Sequence, residues 1–183
     1  MRTGSRQSQA WALALVLAMI SLDVAAQSEP KTGSPPQTST RAGSPVLLEV
    51  RGEVSRPLAW SASEFAKLPR QTVRAQGHDR VESQFEGVSL FEVLSRAGVP
   101  FGKELRGQAV ALYLVVEASD GYRAVFALPE LDPAFSDRVI LLADRRDGRP
   151  LPEPAGPLQV IVPGEKRHAR WVRQVIRLRV GRA

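Results

Sequence analysis

Seven consecutive apolar residues, VALYLVV from Val110 to Val116, are followed by the turn pair Asp120-Gly121 and by YRAVFAL from Tyr122 to Leu128. β-Branched and aromatic residues favour a pleated surface, and an Asp-Gly pair supplies the positive φ angles of a tight hairpin. The first run is apolar on both faces and therefore predicts a central strand, with the second as its antiparallel partner. Shorter runs repeat the pattern. Val46 to Val50 ends at Gly52, Gln71 to Ala75 is a further strand, and Val139 to Ala143 precedes a turn at Asp147-Gly148. Leu158 to Val162 is closed by Pro163-Gly164. Near the end, Ile176, Leu178 and Val180 alternate with Arg177 and Arg179, which predicts a half-buried strand with its arginines in solvent.

Helical signals are fewer. Ser61-Ala62-Ser63-Glu64 is a capping-box pattern ahead of a short helix through Phe65 and Leu68 that stops before Pro69. A second box opens at Ser89 with Glu92 three residues on. There Leu90, Val93, Leu94 and Ala97 share one buried face, and Gly98 fits the left-handed position that ends a helix. Strands outnumber helices and the joints are short. The expected class is α+β, a mainly antiparallel or mixed β-sheet with a few short helices.

The folded part is expected over residues 45–183. Residues 27–44 (QSEPKTGSPPQTSTRAGS) are rich in Ser, Thr, Pro and Gly without apolar periodicity and read as a disordered linker. Residues 1–26 have the layout of a signal peptide: Arg2 and Arg6, an apolar run from Ala10 to Ile20, then Val24-Ala25-Ala26 as a cleavage point. The run is short for a bilayer span, so no transmembrane helix is expected after its removal. No Arg-Arg pair precedes it, which favours a cleaved Sec-type signal over the twin-arginine route. A periplasmic or secreted location follows from this reading.

The 183 residues include no cysteine, which excludes disulfides, zinc–thiolate and iron–sulfur sites and a thiolate nucleophile. No G-x-S-x-G elbow, Gly-rich phosphate loop or H-E-x-x-H is present. The two histidines, His78 and His168, would need Asp79, Glu82 or Glu165 to complete a metal site. Their spacing suggests exposed loop residues instead, and no metal is expected. Asp120 reads as a turn residue rather than a general base.

Lys166, Arg167, Arg170, Arg173, Arg177, Arg179 and Arg182 crowd the C-terminal segment, within a formal net charge of +6. Arginine grips phosphate and carboxylate through paired N–H groups. Arg167, His168, Arg170 and Arg173 follow the Pro163-Gly164 turn and are the candidate contacts to an anionic ligand, with a solvated arginine face as the competing explanation. An exported chain with few aromatics among its basic residues is a poor nucleic-acid binder, so none is expected as partner. An unknown anionic ligand or envelope protein fits better.

Taken in order, several segments resemble the molybdopterin-binding oxidoreductase domain of the sulfite oxidase family, from about Leu47 to Val180. They are Leu48 to Gly52 with Arg56-Pro57-Leu58, and Phe65 to Pro69. Phe85-Glu86-Gly87-Val88-Ser89-Leu90 follows, with Leu94 and Ala97-Gly98-Val99, then Ser119 to Tyr122. Asp147 to Leu151, Gly156-Pro157-Leu158, Val162-Pro163-Gly164 and Arg170-Trp171-Val172 complete the set. The resemblance implies that fold. It also implies a molybdenum held by a cysteine thiolate on the segment before Gly87-Val88, where Gln71 to Glu86 offers none. It places basic residues near the pterin, where Arg167 and Arg170 stand, in a loop that looks shortened between Gly164 and Trp171. A cofactor of this kind is installed before export, and its exported carriers resemble folded cargo of the twin-arginine route. The expectation is therefore a cofactor-free anion- or partner-binding accessory module on this fold. The alternative is a divergent molybdopterin-dependent oxidoreductase lacking a cysteine ligand. Molybdopterin enters only through the resemblance.

Overall fold

A computed structural model describes residues 44–183. The signal peptide expected over 1–26 and all but the last residue of the linker expected over 27–44 lie outside the described residues.

Two open sheets carry the domain. The first contains β1 (Val46–Gly52), β2 (Leu58–Ser61), β5 (Leu112–Ala118), β6 (Arg123–Ala127) and β10 (Val175–Arg182), in the spatial order β2-β1-β10-β5-β6. β1 and β10 run parallel with Val50 opposite Leu178, so the first and last strands of the domain are joined; the other pairs of this sheet are antiparallel. The second sheet contains β3 (Gln71–Gln76), β4 (Glu82–Ser89), β7 (Leu141–Arg146), the two-residue β8 (Arg149–Pro150) and β9 (Gln159–Ile161). β7 pairs with β4, β8 and β9, all antiparallel. The helices are α1 (Ala62–Phe65) and α2 (Leu90–Arg96). The α+β, mainly antiparallel architecture expected from the sequence is the one observed.

The core follows from the strand periods. Leu112, Leu114, Val116 and Ala118 of β5 enter it with Leu48 and Val50 of β1 and Leu178 and Val180 of β10. Val115, on the opposite face of β5, is also buried, which accounts for the unbroken apolar run. That strand starts at Leu112 rather than Val110, because Gly107–Ala111 winds into a 3-10 turn that leaves Val110 exposed. In β10 the expected alternation breaks at its start. A register shift between Val175 and Arg177 buries Val175 and turns Ile176 outward. Arg177 is not simply solvated; it bonds Glu49 at 3.0 Å and Glu117 at 3.1 Å.

β4 is a strand that the sequence reading missed. Its buried positions are Ser83, Phe85, Gly87, Val88 and Ser89, with a register shift between Glu86 and Gly87, so the period-2 signal is weak. Ser83 tolerates burial because its hydroxyl accepts from Arg146 Nε at 2.9 Å. Gly87 is required by packing: a Cβ there would stand 2.1 Å from the Leu142 carbonyl oxygen.

At α1 both halves of the capping box form, Ser61 N–H to Glu64 Oε2 at 2.9 Å and Glu64 N–H to Ser61 Oγ at 3.4 Å. At α2 only one half forms. Ser89 Oγ accepts from Glu92 N–H at 3.2 Å, whereas the Glu92 carboxylate turns to Arg96 at 2.7 Å. Ser89 is the last residue of β4 and is paired with Leu141 in the sheet. Gly98 has φ +75, as expected, and Val99 N–H closes the helix end on Leu94 O at 3.1 Å.

Candidate functional site

Three turns converge beside Trp171: the β3–β4 turn at residues 77–81, the β5–β6 hairpin at 119–122, and the stretch from Gly164 to Gln174. Gly164 has φ +78 and Gln174 φ +49, so this stretch is a tight excursion between β9 and β10, with a 3-10 turn at His168–Arg170. Trp171 fixes it. Its ring is 5% exposed, its Nε1–H donates to Val162 O at 3.1 Å, and it meets Phe85 edge-on at 5.7 Å. Hydrogen bonds then tie the hairpin to the stretch. Tyr122 Oη donates to Ala169 O at 2.7 Å and Ser119 Oγ to Gln174 Oε1 at 2.6 Å. Asp120 behaves as the turn residue expected, accepting from Tyr122 N–H at 2.9 Å.

Three adjoining cavities open on this junction, and all include Trp171. The first, about 230 Å³, is mostly apolar, with Phe85, Leu151, Pro152 and Pro154 in its wall and His78 and Arg173 at its side. The second, about 260 Å³, is bounded by His78, His168, Asp120, Tyr122 and Arg173. The third, about 500 Å³, runs between Arg74, Ala75 and Gln76 of β3, Glu82 of β4, and Gly164, Glu165, Lys166 and His168.

The four candidate anion contacts separate in this geometry. Arg170 is committed to the protein itself: its guanidinium bonds Glu130 at 2.9 Å and Glu165 at 2.8 Å and stacks on Phe126 at 4.6 Å. Burial opposes its charge, but the bonds to Glu130 and Glu165 more than offset this and hold its pKa above the ordinary value. Arg167 is exposed and lines none of the three cavities. His168 and Arg173 do line them. Among the described residues, the cations facing the cavities without an ion pair or side-chain hydrogen bond are Arg173, Lys166 and Arg74. Arg74 was invisible as a site residue in the sequence, because a lone arginine in a short strand carries no signal. Arg146 also reaches the first cavity but is bound to Asp79 at 2.6 Å; that bond is the main reason the Asp79 carboxyl sits below its ordinary pKa.

The description "Oxidoreductase molybdopterin binding domain" matches residues 39–182. The chain belongs to the oxidoreductase molybdopterin-binding domain family. No curated protein matches it. Among solved structures, the sulfane dehydrogenase SoxCD from Paracoccus pantotrophus is similar, with 22% sequence identity and a TM-score of 0.58. The match covers 73% of this chain and 37% of that one, so the chain spans well under half of that protein's length. The likeness is one of fold.

The donor set can be tested against the metal that the family resemblance implies. The sequence contains no cysteine, and its two methionines, Met1 and Met19, lie outside the described residues. The segment expected to supply one is β3, the turn and β4. Ala75 is the only buried side chain of β3, and it faces the third cavity with a methyl group. The remaining lining offers imidazole, carboxylate and ammonium groups, none of which is a soft anionic donor. These residues do not fit a thiolate-held molybdenum. Among the described residues, no group of three or more His, Asp or Glu side chains is placed to hold a metal ion, and no helix is long and apolar enough to cross a membrane.

Proposed function

We propose that this chain is an exported, molybdenum-free member of its family that acts as a binding or accessory module of the cell envelope. It holds an anionic ligand or partner where the cavities meet Arg74, Lys166 and Arg173. The observation that carries this reading is the methyl group of Ala75, which faces the third cavity from a strand without sulfur, beside cations left unpaired. Redox turnover at a thiolate-held metal then has no anchor, whereas electrostatic capture does. A partly enclosed cavity strengthens each cation's attraction for phosphate or carboxylate relative to open solvent. The apolar first cavity adds room for the body of an organic anion and gives it shape selectivity. The signal-peptide layout of residues 1–26, without an Arg-Arg pair, supports delivery of an unfolded chain that carries no preinstalled cofactor.

Metal analysis and pterin fluorescence on the untagged chain, purified from its native envelope, test the first half. Substoichiometric molybdenum is expected. One molybdenum per chain would overturn the proposal and favour a divergent oxidoreductase without a cysteine ligand. Calorimetry with pyrophosphate tests the second half. Lys166→Gln combined with Arg173→Gln should weaken binding at least tenfold, and added salt should weaken it in the wild type. Binding indifferent to both would refute the assignment of the site.

A further inference from the structure

The two histidines come together. His78 stands on the β3–β4 turn and His168 opens the 3-10 turn before Trp171, yet their ring centroids are 4.5 Å apart with planes inclined by 64°. His168 also packs on Trp171 at 4.4 Å, which holds it in place. Neither imidazole has a hydrogen-bond or ion-pair partner among the described residues, so all four ring nitrogens are uncommitted. Both rings line the second cavity, together with Asp120, whose Oδ1 is taken by Tyr122 N–H and whose Oδ2 makes no bond among the described residues.

We propose that His78 and His168 chelate one divalent transition-metal ion of the Cu²⁺ or Ni²⁺ type, with water completing the coordination. With a metal–nitrogen bond of about 2.0–2.1 Å, a coordinated imidazole centroid lies about 3.2 Å from the ion. Two such rings at a right angle are then about 4.5 Å apart, and at a tetrahedral angle about 5.2 Å. The observed separation lies within the reach of one ion bound by both rings, and the Irving–Williams order favours Cu²⁺, then Ni²⁺, over the earlier divalent metals at such donors. Imidazole is a suitable donor for both ions. Asp120 supplies a negative charge to the same cavity, against Arg173 on its other side. With two protein ligands the site is open and exchangeable, able to present a bound ion to an anion entering the cavity. The proposal goes beyond the anion-binding reading and does not rest on it.

A bound ion would tie the β3–β4 turn to the stretch before β10, so it should stabilise the fold as well as bind. Titration of Ni²⁺ and Cu²⁺ into the untagged mature chain, in a buffer that does not chelate, should give one ion per chain, with Cu²⁺ the tighter. His78→Gln and His168→Gln should each weaken Ni²⁺ binding at least tenfold and abolish the rise in thermal midpoint that Ni²⁺ gives the wild type. Midpoints in EDTA check that the variants fold. Independently of any variant, the electron paramagnetic resonance spectrum of the Cu²⁺-loaded wild type should show two imidazole nitrogens. Absence of Ni²⁺ binding, binding undiminished in either variant, or a copper spectrum without two imidazoles would overturn the proposal.

Discussion

Arg170→Met separates a structural arginine from a ligand-gripping one. The guanidinium answers two carboxylates, with side-chain exposures of 30% for Arg170, 30% for Glu130 and 15% for Glu165. Its removal leaves Glu165 with both oxygens unpartnered, since Oε2 is already buried without a hydrogen bond. Breaking a fully buried ion pair by deleting one partner costs about 3–5 kcal/mol, because a charge is left desolvated and unanswered. Partial exposure lets water reach Glu130 and reduces this, while loss of the stacking on Phe126 adds a few tenths. The expected destabilisation is about 2–3 kcal/mol. For a domain of this size that is a fall in thermal midpoint of about 6–12 °C. Urea unfolding followed by circular dichroism measures it, with the exposed Arg167→Met as control, expected within about 0.5 kcal/mol of wild type. Pyrophosphate affinity in folded Arg170→Met should fall by less than in Lys166→Gln with Arg173→Gln, since only the bared Glu165 borders the third cavity. The reasoning fails if Arg170→Met is as stable as Arg167→Met, or if it folds normally and loses anion binding.

Other consequences follow from the same contacts. Gly87→Ala should destabilise by about 3 kcal/mol or more in urea titrations, because its Cβ meets the Leu142 carbonyl oxygen between β4 and β7. Ser89→Ala should cost about 1 kcal/mol as a lost N-cap, whereas Glu92→Gln should stay within about 0.5 kcal/mol, since that carboxylate caps nothing. Glu49 is held below its ordinary pKa: burial pushes it up, but bonds and charges from Arg177 and Arg51 outweigh that. A carboxyl depressed in the folded state stabilises at pH above its unfolded value and loses that contribution as pH falls through the folded value. Wild type should therefore exceed Glu49→Gln in stability at neutral pH, and the gap should close in acid below about pH 4; a gap that persists there would contradict the assignment.

The strands were legible where burial is apolar. β5 and β6 announce themselves because every inward position is Leu, Val, Ala or Phe, and α2 because Leu90, Val93 and Leu94 fall at helical spacing. β4 was not, because Ser83 and Gly87 are buried for reasons that no periodicity carries: a hydrogen bond from Arg146 and a close backbone crossing. The same distinction governs the site. Charge density pointed to the segment after Gly164, but which cations remain free depends on carboxylates far away in sequence. Glu130 neutralises Arg170 across forty positions, and no described residue pairs with Arg173 three residues on. His78 and His168 looked like separate loop residues, and their contact exists only because β3 and the last loop meet over Trp171.

The junction around Trp171 is held by hydrogen bonds and ion pairs within the protein. Each of the three turns is fixed by bonds of its own. Asp79 to Arg146 holds the β3–β4 turn, Ser119 and Tyr122 bind the hairpin to Gln174 and Ala169, and the indole of Trp171 bonds Val162. Such local closure fixes the cavity walls by bonds of their own. A site dependent on a cofactor for its shape would instead lose order without it. Tyr122→Phe separates the two cases. It removes one bond, from Tyr122 Oη to Ala169 O, without altering cavity volume appreciably. If the junction is held by its own hydrogen bonds, hydrogen exchange at residues 165–173 should quicken in this variant while β5 and β10 stay protected. Exchange in that stretch already as fast as in an unfolded peptide in the wild type would mean that a ligand, and not these bonds, gives the junction its shape.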